Sequence, residues 1–178
     1  MFSFFKKKRH KPNVRVKKGN VIFDAYVPEN DAYALLESQR EGYPLLMTVN
    51  TVIDEIYPKA IYGYMCEIVM ELENVTEVKL PTDDELKVVA AFEDEIIANV
   101  IVNPDTPNVR IAGWISWNGQ RELYLRVNDP EVVGDYLEKL SKSDDYARPF
   151  SFVVQEDKDW KETDWLQEEF RRAEKNKK

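Results

Sequence analysis

One stretch of the chain, GWISWNGQRELYLRVND, concentrates side chains that could bind a ligand. It places tryptophans, a tyrosine and arginines around an Asn-Gly pair, a strong signal for a turn between two strands. Aromatic rings and arginines on one face of a sheet can stack bases or dock an anionic group. The predicted binding site consists of five residues that share one face of this hairpin: Arg110, Trp114, Glu122, Tyr124 and Arg126.

The apolar pattern of the hairpin favours one strand register. A two-residue turn at Asn118 and Gly119 would scatter apolar side chains over both faces of the sheet. A three-residue loop that starts at Trp117, with a left-handed Gly119 in a bulge, gathers them on one face. This register pairs Ser116 with Gln120 and places Trp114 across from Glu122.

The same register places Arg110 directly opposite Arg126, where like charges destabilise a sheet. We therefore expect either that an acid such as Glu67 or Glu71 neutralises the arginines or that an anionic group docks there. The N-terminal strands, their helix or the C-terminal helix are expected to cover this face.

A second group of residues could hold a divalent cation. Five carboxylates lie in QEDKDWKETDW, namely Glu156, Asp157, Asp159, Glu162 and Asp164. Oxygen ligands suit Mg²⁺ or Ca²⁺, yet the spacing lacks the Gly and distal Glu of an EF-hand loop. Capping of a helix by Asp157 or Asp159 explains the cluster more simply, so the sequence predicts no metal site.

Several catalytic arrangements are excluded by missing parts. The only histidine is His10, near the start of the chain, so no Ser-His or Cys-His nucleophile can form in the folded body. The only cysteine, Cys66, lies in a strand-like segment that favours burial. Phosphate-binding glycine motifs and Cys/His pairs at zinc spacing are also missing. The sequence therefore predicts no catalytic residue and no cofactor, and it favours a non-enzymatic protein over a carboxylate- or metal-dependent enzyme.

The charge of the chain is strongly partitioned. Residues 1–18 hold eight Lys or Arg and no acid, which leaves 17 bases against 33 acids in the rest, a net charge of −16. An acidic body opposes nucleic-acid binding and favours a basic protein partner. We expect residues 1–20 to be a flexible basic arm. Part of it, residues 1–11, could instead reach an anionic membrane surface through Phe2, Phe4, Phe5, Lys6, Lys7, Lys8 and Arg9.

The folded body is predicted to be a single α+β domain over residues 21–158. From Ala60 onward the pattern is strand, helix, strand, strand, helix, strand, which is typical of a ferredoxin-like sandwich with an antiparallel sheet. Thr82 and Glu85 form a capping-box pattern at the first helix, and Asp129 caps the second. The acids of the first helix are attributed to capping and solvation alone.

The ends of the body are predicted from weaker patterns. A strand over residues 21–27 and another over residues 43–53 should extend the sheet, with a short helix between them that Asn30 or Asp31 caps and Gly42 ends. Residues 159–178 are predicted to form an amphipathic helix, from about Asp159 to Ala173, and a basic tail. No apolar run reaches the length of about 18 residues that a membrane span needs, so we expect a cytoplasmic protein.

Four segments together resemble a bacterial family catalogued as a domain of unknown function, number 695 in that series. They are GYPLLMTVN, LPTDDEL with FEDEI after it, GWISWNGQRELYLRVNDPE, and RPFSFVVQEDKDW. The resemblance implies a bacterial cytoplasmic protein with an α+β fold and no established activity, and it supplies no catalytic residues. In some relatives such a domain is joined to one similar to a protein inhibitor of ribonuclease E, which implies a regulatory role by association only.

Overall fold

The computed structural model describes residues 11–18, 21–101, 107–143 and 145–176. They form a six-stranded antiparallel sheet, a separate two-stranded sheet and three α-helices. The strands are β1 (Val14–Lys18), β2 (Val21–Ala25), β3 (Tyr33–Arg40), β4 (Tyr43–Asn50), β5 (Tyr64–Glu71), β6 (Val109–Trp117), β7 (Gln120–Val127) and β8 (Phe150–Glu156). The helices are α1 (Asp83–Val100), α2 (Pro130–Ser143) and α3 (Asp164–Asn176), with short 3₁₀ turns at Ile53–Glu55 and Lys59–Tyr62.

The large sheet has the order β3-β4-β6-β7-β5-β8, and each neighbouring pair is antiparallel. Helices α1 and α2 cover one face, here called the helix face, where their apolar side chains pack against Cys66, Ile68 and Leu125. The other face, here called the outer face, packs against α3 and the small β1–β2 sheet. The core therefore has two layers, one on each side of the sheet.

The two predicted helix starts are confirmed. The hydroxyl of Thr82 accepts a hydrogen bond from the Glu85 backbone N–H at 3.3 Å. The Asp129 carboxylate accepts one from the Glu131 N–H at 3.1 Å, with Pro130 in the first turn. Both contacts satisfy N–H groups that have no partner within the helix, which explains why α1 and α2 begin at these residues.

The predicted helix between residues 31 and 39 is wrong. These residues form strand β3, which pairs with β4 from Tyr33 opposite Asn50 to Arg40 opposite Tyr43. Gly42, predicted to end a helix, lies with Glu41 in the hairpin turn, and both have positive φ. The side chain of Asp31, predicted to cap the helix, instead accepts hydrogen bonds from side chains in the sheet.

Two predicted boundaries also change. Residues 14–18, assigned to the flexible arm, form β1 and pair with β2, so β2 belongs to the small sheet rather than to the large one. The C-terminal helix begins at Asp164, and Trp160 precedes it with a positive φ of 63°. The predicted membrane contacts of Phe2, Phe4, Phe5 and the basic residues after them lie outside the described residues. No helix in the described part of the chain is long and apolar enough to span a bilayer.

Candidate functional site

The hairpin of β6 and β7 brings four of the five predicted site residues to the outer face. Arg110 lies opposite Arg126, as predicted, and Glu122 and Tyr124 follow along β7 on the same face. Trp114 is the exception, because its side chain packs in the helix-face cluster.

The misplacement of Trp114 follows from a wrong register. The turn has two residues, Asn118 and Gly119, both with positive φ. Gln120 therefore pairs with Trp117, whereas the predicted register paired Gln120 with Ser116. The register then shifts at an irregularity between Ile111 and Gly113. This bulge reverses the alternation of side chains along β6. Arg110, before the bulge, therefore points to the predicted face, whereas Trp114, after it, points to the opposite face.

On the helix face, Trp114 lies across from Leu123 rather than Glu122. The Tyr33 ring contacts it at 5.1 Å between centroids, and the Arg121 guanidinium lies 5.7 Å from the ring centroid. Trp114 therefore contributes to packing beside α1 and is not part of the outer-face site.

Arg110 is neutralised from the N-terminal side of the chain. Its Nη2 donates to Asp31 Oδ1 at 2.5 Å and to the Pro28 carbonyl at 3.2 Å. The same Asp31 oxygen accepts a hydrogen bond from Asn50 Nδ2 at 2.8 Å. The loop before β3 thus supplies the missing counter-charge.

Arg126 is neutralised from the C-terminal side. Its side chain is fully buried, its Nη1 donates to Asp157 Oδ2 at 2.7 Å, and its Nη2 donates to the Thr163 hydroxyl. The guanidinium also lies 4.8 Å from the centroid of the Trp160 ring. Burial lowers the pKa of Arg126 from its usual value, and the hydrogen bond and charge of Asp157 oppose that change.

These contacts decide between the two predicted explanations of the arginine pair. Acids from within the chain neutralise both arginines, but they are Asp31 and Asp157, so the prediction of Glu67 or Glu71 was wrong. With both arginines engaged in the interior, neither presents a free guanidinium to an anionic ligand.

The acidic segment attributed to helix capping is organised by Asp157. Its Oδ1 accepts from the Lys161 N–H at 2.8 Å, and its Oδ2 accepts from the Glu162 N–H at 3.1 Å. Together with Arg126, these donors occupy the Asp157 carboxylate. Across the part of the chain that the structure describes, no three Asp, Glu, Cys or His side chains are grouped so as to hold a metal ion.

The remaining predicted residues, Glu122 and Tyr124, form a cluster with Glu67. The Tyr124 hydroxyl lies 2.8 Å from Glu122 Oε2 and 2.8 Å from Glu67 Oε1. Because the hydroxyl carries one hydrogen, it can donate to only one carboxylate at a time. Burial and the two carboxylates raise the pKa of Tyr124 above its usual range, with burial the larger cause.

Arg40, at the end of β3, closes one side of this cluster. Its Nη1 lies 3.3 Å from Glu122 Oε1, and its guanidinium lies 5.0 Å from the Trp117 ring centroid and 5.3 Å from that of Trp165. Trp165 in turn contacts the Tyr124 ring edge-on at 5.8 Å. Sequence reasoning missed Arg40 because its segment was predicted to be helical.

Glu67 differs from Asp31, Asp157 and Glu122, the three acids of the outer face that are paired with an arginine. Its side chain is half-buried, and within the described residues no Lys or Arg lies at ion-pair distance from it. It lies between Tyr124 of β7 and Val153 of β8, which is 50% exposed. This part of the outer face, formed by Glu67, Val69, Ser151 and Val153, is here called the open strip.

Two further buried acids, which sequence reasoning attributed to capping and solvation, lie on α1. Glu85 is fully buried, and its two oxygens accept hydrogen bonds from Arg148 at 2.7 and 2.8 Å. Glu93 binds Arg121 in the same two-pronged way, at 2.7 and 3.1 Å. A carboxylate at an apolar position of an otherwise amphipathic helix was the available signal for Glu93, since Val89 and Ile96 share its buried side.

Cys66 lies outside this cluster, on the helix face of the sheet. Cys66 is buried, and burial raises the pKa of its thiol to about 12. A thiol with such a pKa is protonated at neutral pH and unreactive. What the geometry does offer is the half-buried carboxylate of Glu67, which contacts the Tyr124 hydroxyl and lies in the open strip beside Val69 and Val153.

Comparison with known proteins gives a family and little else. No curated protein and no solved structure matches the chain. A family described as a family of unknown function (DUF695) matches residues 34–167, from β3 to the first turn of α3. That range includes Arg40, Glu67, Glu122 and Tyr124, as well as the arginine pair. The chain belongs to the DUF695 family of unknown function.

Proposed function

We propose that this protein is a non-enzymatic interaction module that binds a basic segment of a protein partner at Glu67. The observation that carries the proposal is that Glu67 is half-buried and yet, in the described part of the chain, lacks the ion pair that three other acids of the outer face have. Asp31, Asp157 and Glu122 each pair with an arginine of this chain, whereas Glu67 pairs with none in the described residues.

A half-buried carboxylate without a cation is costly, because it has lost part of its hydration. The Tyr124 hydroxyl can replace only one of the hydrogen bonds to water that the Glu67 carboxylate has lost. A lysine or arginine from a partner would supply the missing charge, and Val153 and Val69 would accept the apolar stem of that side chain. The net charge of −16 outside residues 1–18 would steer a basic partner toward this surface.

The test compares two carboxylates of the same strand and face. Glu67→Gln removes the charge of the half-buried residue, and Glu71→Gln removes that of an exposed residue at the end of β5. A fluorescently labelled peptide in which arginine alternates with threonine and valine is titrated by anisotropy at low salt. We expect Glu67→Gln to weaken binding about tenfold, equal to about 1.4 kcal/mol, and Glu71→Gln to weaken it less than twofold. Equal effects of the two substitutions would show that diffuse acidity, not Glu67, binds the peptide.

We also infer that residues 64–156 form a ferredoxin-like sandwich. The order β8-β5-β7-β6, with antiparallel neighbours and with α1 and α2 on one face, supports this assignment. Strands β4 and β3 then extend the sheet beyond β6. The burial of the single cysteine is consistent with a proposed cytoplasmic location, where thiols remain reduced.

A further inference from the structure

We propose that the partner's basic segment binds as an added strand along the free edge of β8. This inference rests on the proposed function, because it specifies how the segment that reaches Glu67 is held. It names a binding mode, β-strand addition, and a partner chemistry, an extended chain with basic side chains at alternate positions.

Strand β8 is the last strand of the large sheet, and within the described residues it pairs only with β5. Its sequence, FSFVVQE, contains no proline, and its one charged side chain, Glu156, stands at the end of the strand. Exposed edges are usually protected from pairing with other chains by proline or by charged side chains along the strand. The opposite edge, β3, is less suited to strand addition, because Glu37 and Arg40 place charges along it.

The ladder between β5 and β8 shows which backbone groups are free. The Glu71 N–H donates to the Pro149 carbonyl at 2.9 Å, and the Asp157 N–H donates to the Gly63 carbonyl at 2.8 Å. Because hydrogen-bonded pairs alternate along an antiparallel ladder, Ser151, Val153 and Gln155 direct their backbone groups toward β5. The N–H and C=O groups of Phe152 and Val154 therefore point away from the sheet, toward an added strand.

The register places the charge of Glu67 within reach of that strand. Glu67 lies directly across from Val153, which faces the same side. With strands spaced about 4.8 Å apart, an added strand would lie about 10 Å from β5. An arginine of the added strand whose side chain points to the outer face would extend over Val153 toward β5. Its guanidinium would there pair with the Glu67 carboxylate.

Charge also selects between the two extended chains that could occupy this edge. Pairing of β8 with β8 of a second copy would bring together two chains that each carry a net charge of −8, and whose bodies outside residues 1–18 each carry −16. Repulsion opposes that arrangement at low salt, whereas a basic segment is attracted. The observations therefore favour a basic partner over self-association.

Amide hydrogen exchange measured by NMR tests the binding mode directly. The probe is the alternating arginine peptide, added to saturation to the full-length protein. We expect exchange at the Phe152 and Val154 amides to slow at least tenfold, while the Ser151 and Val153 amides, already bonded to β5, serve as internal references. Binding without slower exchange at Phe152 and Val154 would overturn strand addition but leave the binding of a basic segment at Glu67 intact. Slowing that grows with protein concentration in the absence of peptide would instead show pairing between copies and would overturn the proposal.

A matched pair of variants gives a second readout. Val154→Pro removes an outward N–H without removing a bond to β5, and Val154→Ala keeps that N–H while losing more of the side chain. We expect the proline variant to bind the peptide at least tenfold more weakly than the alanine variant; equal binding by two folded variants would contradict the proposal. Should the proline variant fail to fold, the same peptide with N-methylated backbone amides replaces it: strand addition requires that it not bind the wild-type protein, and undiminished binding would overturn the inference.

Discussion

At the scale of single residues, the interior of this protein is unusual in how many arginines it contains. Arg110, Arg121 and Arg126 are all buried, and each pairs with a carboxylate from another element. Such pairs gain little net stability over apolar packing, but removing one partner leaves an uncompensated charge. They therefore specify which elements meet: Asp31 attaches the loop before β3, and Asp157 attaches the segment before α3.

The pair of Glu85 and Arg148 makes folding stability depend on pH. The Arg148 hydrogen bonds, followed by those from Asn74 and the Glu73 backbone, lower the pKa of Glu85 to about 2 in spite of burial. In the unfolded chain its pKa is about 4.3. A lowered folded-state pKa contributes stability that is fully present above pH of about 5 and is lost as the pH falls toward 2.

We therefore expect wild-type stability to decline between pH 5 and pH 2 by about 3 kcal/mol more than that of Glu85→Gln. Urea unfolding at a series of pH values measures this difference. Asp83→Asn, an exposed residue in the first turn of the same helix, is the control and should retain the wild-type pH dependence. Parallel pH profiles for wild type and Glu85→Gln would show that protonation of Glu85 does not cause the loss of stability at low pH.

At the scale of elements, local sequence patterns predicted most strands and helices. They gave wrong predictions where the structure of a segment depends on pairing with another strand. The caps at Thr82 and Asp129 are local signals, and both helices begin where predicted. Strand β3 has no such signal, because of its eight residues only Leu36 is buried, and its structure depends on pairing with β4. Gly42 is compatible with either a helix end or a hairpin turn, so it could not distinguish them.

The predicted register of the β6–β7 hairpin was wrong for a related reason. The predicted three-residue loop and the observed two-residue turn plus bulge both bring Arg110 opposite Arg126, and they differ only in the segment between. A bulge at Ile111–Gly113 has no strong sequence signal other than the glycine itself. Four of the five predicted residues lie together on the outer face, but whether they bind a ligand stays a prediction. The position of Arg40 beside Glu122 and the lack of an ion pair at Glu67 among the described residues became visible only in the structure.

Gly113, at the bulge, has no room for a side chain. A Cβ added there would lie 2.5 Å from the Thr48 carbonyl oxygen, a backbone atom of β4. We expect Gly113→Ala to lower the free energy of unfolding by about 2 kcal/mol or more, since the strands must separate locally. Gly134→Ala in α2 is the control, and we expect it to have the opposite effect. A Cβ added at Gly134 would meet no atom within 4 Å, so the substitution should stabilise the protein by about 0.5–1 kcal/mol. Thermal or urea unfolding measures both, and a neutral Gly113→Ala would mean that β4 and β6 are not held at this distance.

At the scale of the whole molecule, one sheet separates two apolar layers. The layers have no side chain in common, but strands β6 and β7 each contribute side chains to both. Leu166 of α3 anchors the outer layer and Leu137 of α2 anchors the helix-face layer, and both are fully buried. The buried arginines connect the layers to the chain ends, since Arg126 of β7 binds Asp157 and Thr163 before α3. We infer that the outer layer cannot detach while the sheet stays folded, because detachment would leave Arg126 buried without its counter-charge or expose the apolar outer face.

We therefore expect a single cooperative unfolding transition. Leu166→Ala and Leu137→Ala should each lower stability by about 2–5 kcal/mol, as is usual for buried leucines, and each should shift one common transition. Far-UV circular dichroism follows the helices and strands. Tryptophan fluorescence follows mainly the outer layer, because Trp117, Trp160 and Trp165 pack there and only Trp114 packs in the helix-face layer. The two signals should coincide for both variants. If Leu166→Ala moved the fluorescence transition ahead of the circular dichroism transition, the outer layer would be a separate folding unit, and Arg126 would have to tolerate the loss of Asp157 within a folded sheet.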